Sequence, residues 1–227
     1  MIYSNSGTDM RAGTPPGPSV PKRDTRAALL SAARKAFAQN GYDGTSVREI
    51  TRQAKANLAS VSYHFGSKRV LYESVLSEGL APMVDRVGKV ARGSGRPFER
   101  LERAIEVYFD FLGANPDLPR LVLQELSAGN RPPAAVIALV RRHAGYLIGI
   151  LTEGWEDGSL RRTHPFLSAL SIVSQPVMMT VVAPLFREVA GIDLRDAKER
   201  SAAARHVQDL LREGLSTELA SRGEEGA

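Results

Sequence analysis

Apolar residues recur at helical spacing along nearly the whole chain, in segments cut by proline and glycine, and strand-like alternation is almost absent. No Asn-Gly or Asp-Gly pair is flanked by the alternating apolar residues a hairpin needs. Asn40-Gly41 instead closes a stripe made by Leu29, Leu30, Ala33, Ala36 and Phe37. Gly41 then stands where a chain leaves a helix through a left-handed residue. A second helix starts at once, because Ser46-Val47-Arg48-Glu49 has capping-box spacing, with Thr45 as the alternative cap. Val47, Ile50 and Ala54 are its inward residues. A third, short helix over 58–65 follows, capped by Asn57 and carrying Val61 and Phe65 as its buried stripe. Ser67 caps the next. Longer helices are expected over 68–90, bent at Pro82, and over 97–114, 119–128, 133–157, 165–189 and 196–220. Several open on proline, whose fixed φ suits a first turn. The expected fold is all-α: a three-helix unit over 22–68, a larger helical part over 69–220, and disordered tails at 1–21 and 221–227.

Of the 227 residues, 43% are hydrophobic, enough for a substantial core. The absence of cysteine excludes disulfides and thiolate metal sites and fits a cytoplasmic protein. Net charge is +5, and its placement is informative. Between Pro21 and Arg69 there are ten Lys/Arg against three Asp/Glu, whereas from Val70 onward there are nineteen against twenty-one. A localised basic segment is either the footprint of a polyanion or a solvated face. The start of the chain, rich in Gly, Pro and Ser, lacks the apolar core of a secretory signal. The uncharged run 164–186 has the length of a bilayer span. Its Ser168, Ser171, Ser174, Gln175, Pro176, Thr180 and Pro184 favour a buried helix over a span, so no membrane partner is expected.

Two short helices joined by a tight turn, preceded by another helix and lying in the basic segment, describe a helix-turn-helix DNA reader. With Val61 and Phe65 buried, Ala59, Ser60, Ser62, Tyr63 and His64 remain to face a major groove. From Thr25 to Tyr72 the chain resembles the DNA-binding region of the TetR/AcrR family. The landmarks are RAALLSAARKAFAQNGYDGTSVREI and NLASVSYHFGSKRVLYESVL, with the Gly-Tyr-x-Gly-Thr-Ser turn, the Tyr-His-Phe triplet and the following Ser-Lys pair in order. They cover roughly a fifth of the chain. The resemblance implies a C-terminal helical domain that dimerises and binds a small molecule. It also implies DNA contacts at Thr25, Thr45, Ser46, Lys55, Ala59, Ser60, Ser62, Tyr63, His64 and Lys68. Tyr63, His64 and Lys68 would meet phosphates, and Ser60 and Ser62 base edges. Two positions depart from the family pattern: Lys55 replaces the usual turn glycine, and Ser62 the usual first aromatic. A lysine in a left-handed turn costs about 1–2 kcal/mol.

His64, His143, His164 and His206 form no metal-ligand spacing, and no nucleophile elbow, Walker loop or dinucleotide fingerprint is present. No metal, cofactor or enzymatic activity is therefore expected. Tyr108, Phe111, Gln124, Tyr146, Gln175, Met178 and Met179 are the candidate ligand-pocket residues, although such residues at helical spacing also build plain core or interface. Trp155 belongs to the same group, and Gln175-Pro176 is its most suggestive spot, since proline inside a helix frees a carbonyl. The last two helices are the expected homodimer elements. The whole reads as a ligand-responsive regulator, in the form of a repressor on a palindromic operator. A constitutive DNA-binding protein and an all-helical enzyme are the alternatives.

Overall fold

The first helix, α1 (Lys22–Asn40), exists because five apolar residues return to one face; Leu29, Ala32, Ala33, Ala36 and Phe37 are all buried. It stops at Gly41, whose φ of +71° is cheap only without a Cβ, and whose amide donates to the Phe37 carbonyl at 2.9 Å. The computed structural model describes residues 22–127, 129 and 132–217; the expected tails at 1–21 and 221–227, and the expected helical residues 128 and 218–220, lie outside the described residues.

Among the described residues the chain is helical throughout, with one isolated bridge, Leu160 to Ser216, and no strand. Two short helices follow α1: α2 (Val47–Gln53) and α3 (Ala59–Phe65). Then come α4 (Lys68–Ala91), α5 (Pro97–Ala114), α6 (Asp117–Ser127), α7 (Ala134–Glu156), α8 (Pro165–Ala190) and α9 (Ala197–Leu215). The punctuation expected from proline and glycine falls within a few residues of these bounds. α6 starts two residues early, at Asp117. Helix α4 runs unbroken through the exposed Pro82.

The body is organised around α5. Phe98, Leu101, Ala104, Ile105, Tyr108, Phe109, Phe111 and Leu112 are buried on it, and α4, α7, α8 and α9 all pack against it. Helix α4 reaches from the three-helix unit into this body, touching α1 and α3 at one end and α5, α6 and α7 along its length.

Helix α8 corrects one expectation. The uncharged run is not a fully buried helix. Ala169, Ile172, Pro176 and Thr180 are buried, while Phe166, Leu167, Leu170, Met178, Leu185 and Val189 are exposed. At 100° per residue the buried set and the exposed set fall on opposite faces, with Phe166, in the first turn, at their border. Both α7 and α8 are long and apolar enough to cross a bilayer, yet each packs one face on α5 and they pack on each other.

Candidate nucleic-acid interface

The helix-turn-helix is assembled by short polar side chains that satisfy helix ends. Thr45 is buried, and its hydroxyl donates to the carbonyls of Ala36 and Gly41 at 3.1 and 2.7 Å. Ser46 accepts from the Glu49 amide at 3.1 Å. The reciprocal half of the capping box is replaced, because the Glu49 carboxylate accepts from Asn40 and Gln53 instead. The turn from α2 to α3 passes through Lys55 at φ 51°, the one non-glycine residue with positive φ among the described residues. Asn57 Oδ1 then takes the Ala59 amide at 3.0 Å, at the entrance to α3. Ser67 accepts from Val70 at 3.2 Å and starts α4.

These turns fix which face of α3 is outward. Val61 and Phe65 are buried; Ala59, Ser62 and Tyr63 are exposed, Tyr63 to 67%. Ser60 and His64 are half-buried. The Tyr63 and His64 rings meet edge to face, with centroids 4.9 Å apart. An aromatic residue this exposed, beside short hydroxyls on a short helix, presents the hydrogen-bonding and stacking groups that DNA reading uses. Lys68 is half-buried, its ammonium 4.3 Å above the Tyr42 ring, which fixes a positive charge at the start of α4. Lys55 and Ser46 are exposed, and Thr25 is half-buried near the start of α1.

Thr45 departs from its expected role. Fully buried, with its hydroxyl spent on two backbone carbonyls, it locks the corner between α1 and α2 rather than facing a phosphate. Three exposed residues near the reading face were not among those expected from the sequence: Arg48 and Arg52 on α2, and Leu58, 48% exposed at the entrance to α3. The signal for the arginines was available, since they flank the inward Ile50 at positions that must point out.

Two ion-pair clusters tie this unit to α4 and α6, and a third ties α4 to α6. Arg26 pairs with Glu78 of α4 and lies 5.1 Å from the Phe65 ring centroid. Arg34 makes a two-pronged contact with Asp117 at 2.5 and 2.6 Å, and also reaches Asn115 at 2.9 Å. Arg69 bonds to Glu73 at 2.9 Å and to the buried Glu125 at 2.7 Å. Burial opposes ionisation of Asp117, but the hydrogen bond and charge of Arg34 outweigh it and hold the carboxyl below its usual range. Local spacing carries no sign of the pairs Arg26–Glu78, Arg34–Asp117 and Arg69–Glu125, because their partners are 52 to 83 residues apart.

The expected pocket residues differ in burial. Tyr108 and Phe111 are buried in the core, Tyr146 and Met179 are half-buried, and Gln124, Gln175 and Met178 are exposed. Tyr108 is a core residue with a specific partner: its hydroxyl lies 2.6 Å from His143 Nε2, and the rings meet edge to face. Burial pushes the tyrosine hydroxyl upward and brings the His143 imidazole down to about 4. The ring is thus neutral, and its Nε2 shares one hydrogen bond with the hydroxyl. Tyr146 sits against Gly88 of α4, with Arg92 5.2 Å from its ring centroid. Trp155 is half-buried against the core. A cleft of about 670 Å³ lies elsewhere, between α1, the α5–α6 turn, α8 and the α8–α9 segment.

Comparison with known proteins agrees with this architecture at both ends. Residues 29–75 match the pattern described as bacterial regulatory proteins, tetR family, and residues 97–211 match the tetracyclin repressor-like C-terminal domain. The transcriptional repressor NicS of Pseudomonas putida is 26% identical over 198 residues, spanning 84% of this chain and 92% of its own. The transcriptional regulator RutR of Escherichia coli is 27% identical over 199 residues, spanning 83% and 89%. Among solved structures, the TetR-family regulator PfmR of Thermus thermophilus superposes with a TM-score of 0.65 at 25% identity, covering 81% of this chain and 97% of that one. FadR of Bacillus subtilis, solved in complex with stearoyl-CoA, shares the fold, with a TM-score of 0.69 at 21% identity, covering 82% and 96%. An outward-facing α3 on a basic three-helix unit, a helical body behind it, and family matches to both parts lead to one statement: the chain belongs to the TetR family of DNA-binding transcriptional regulators.

Proposed function

We propose that this regulator is a cytoplasmic repressor that binds a palindromic operator as a homodimer and is released by a small molecule. The observation that carries the reading is the outward face of α3, where Ala59, Ser62 and Tyr63 are exposed and Ser60 is half-buried beside them. Ser60 and Ser62 approach base edges, with Ala59 and Leu58 offering methyl contact to thymine. Tyr63, His64, Lys55, Lys68, Ser46 and Thr25, joined by Arg48 and Arg52, hold the phosphates. The exposed apolar face of α8 supports the dimer, since a patch with six large side chains at water is the usual mark of an interface. Two recognition helices about 34–36 Å apart would enter successive major grooves.

Release follows if a ligand binds better to a state in which that separation differs. The junction suits such coupling: α4 runs continuously from reader to body, and Arg26–Glu78, Arg34–Asp117 and Arg69–Glu125 fix its angle on both sides. Occupying a promoter needs no further protein contacts, which favours repression over activation. Nuclease footprinting upstream of the chain's own gene, with the mass of the complex measured in parallel, tests this reading. The expected result is two chains on a palindrome with half-sites one helical turn apart. A single chain on an asymmetric site would refute it.

A further inference from the structure

We propose that the cleft between α1 and the body is a binding site for an organic anion with an apolar body and a carboxylate, phosphate or sulfonate head. The inference names the effector class for the release step above, and its regulatory meaning rests on that reading. Six cations line the cleft: Arg34, Lys35, Arg120, Arg187, Arg195 and Arg200. The acidic residues lining it are Asp117 and Asp193, and both are already engaged. Asp117 is held by Arg34 at 2.5 and 2.6 Å, and Asp193 by Arg195 at 2.7 Å. Lys35 and Arg120 have no ion pair or side-chain hydrogen bond among the described residues.

Arg200 is the most telling of the six. Its Nη1 donates to the Leu194 and Arg195 carbonyls at 3.3 and 2.9 Å. Its Nε is out of solvent without a hydrogen bond and keeps only a long ion pair, at 3.8 Å, to the exposed Asp110 carboxylate. A charged donor held out of water without a hydrogen bond is costly, and an anionic head group can supply the acceptor that the long pair with Asp110 does not. The backbone also makes room for this arginine: a Cβ on Gly113 would collide with its Cδ, so the bare backbone of α5 is what lets its stem lie there.

The remaining wall is apolar at Phe109, Pro116, Ala183, Pro184 and Leu194 and polar at Ser31, Gln39 and Asn115. Thr180 turns its hydroxyl back to the Pro176 carbonyl at 2.8 Å. The volume of about 670 Å³ lies in the range of small-molecule sites. Concavity and an apolar wall suit a compact organic anion and do not suit a duplex backbone. The head group competes with Asp117 for Arg34, the residue that joins α1 to the start of α6, so occupation loosens the reader from the body.

The probe is 8-anilinonaphthalene-1-sulfonate, titrated by its fluorescence into the whole protein, with N-phenyl-1-naphthylamine as the uncharged counterpart. Expected is saturable binding of one sulfonate probe per chain. It should weaken about tenfold in Lys35→Gln/Arg120→Gln and in Arg200→Gln, and stay unchanged in Arg141→Gln, an exposed arginine outside the cleft. The double variant changes only exposed side chains, so it guards against a folding defect in Arg200→Gln. Equal binding of both probes, unaffected by the variants, would place them on the apolar face of α8 and overturn the proposal, as would the absence of saturable binding. An equal loss of DNA affinity in the double variant would assign these cations to the duplex and overturn it too. DNA affinity of the unmodified protein, measured without probe, reports separately on the regulator reading.

Discussion

The reader and the body hold their shapes by different means. In the reader, nearly every turn is fixed by a short polar side chain on a neighbouring backbone group: Thr45 on Ala36 and Gly41, Ser46 on Glu49, Asn57 on Ala59, Ser67 on Val70. In the body, long helices are placed by apolar packing around α5, with a few buried polar pairs such as Tyr108–His143 inside it. Local hydrogen bonds determine which side of a seven-residue helix faces out. Packing determines only that a stripe is covered, and leaves open whether by its own chain or by another. The reader is therefore a fixed surface, whereas the body keeps an open cleft and an uncovered helix face.

The largest expected effect breaks the body's uncovered face. Leu170→Asp together with Leu185→Asp puts two charges on the exposed side of α8. If that side is the dimer interface, burying them costs several kcal/mol. Sedimentation should then show monomers at concentrations where the unmodified protein is dimeric, with helicity retained. A dimer that survives both changes would move the interface elsewhere.

The second effect separates buried polar chemistry from apolar packing. His143 is neutral in the fold, with its pKa brought from 6.5 down to about 4 by burial. Between these values the unfolded chain binds a proton that the folded chain does not, so stability declines as pH falls from 6.5 toward 4. The loss approaches on the order of 3 kcal/mol. Thermal unfolding across that range should show the decline in the unmodified protein and a flatter profile in His143→Gln, whose amide can still bond to Tyr108 in either direction. Tyr108→Phe, which leaves the buried Nε2 without its hydrogen-bond partner, should lower stability by about 1–3 kcal/mol at neutral pH.

A smaller effect tests whether the reader's turns are strained by sequence. At φ 51°, Lys55→Gly removes the left-handed penalty and should stabilise by about 1 kcal/mol, while weakening DNA binding through the lost charge. Denaturant midpoints and DNA affinity moving in opposite directions would be the signature. Thr45→Val is expected to act in the reverse sense, loosening the corner between α1 and α2 without removing an outward group; calorimetry would read it as lost stability.

The same division explains what is legible in the chain before it folds. Helix bounds, the turn at Gly41 and the outward set on α3 follow from spacing within a few residues, whereas the left-handed turn at Lys55 is what the family resemblance implies, through the glycine it replaces. Thr45 is readable as a cap or as a contact, and only the position of the Ala36 carbonyl, nine residues away, decides between them. The cleft is not readable at all. Its cations come from α1, α6, α8, the α8–α9 segment and α9, elements that only the fold brings together. Gln175-Pro176 stands out in the sequence for a sound reason, a carbonyl freed by proline. The α8 proline that lines the cleft is Pro184, with Thr180 one turn before it, while Gln175 faces out.

The central claim, that the outward face of α3 reads DNA, is tested most directly by fluorescence anisotropy on duplex DNA from upstream of the chain's own gene. The titration is run over a salt series with the unmodified protein, Tyr63→Ala and Lys68→Ala. The expected result is saturable, sequence-selective binding that falls with salt, weakens in both variants, and loses about one unit of salt slope in Lys68→Ala. Binding equal to that for random DNA, with both variants indistinguishable from the unmodified protein, would contradict it.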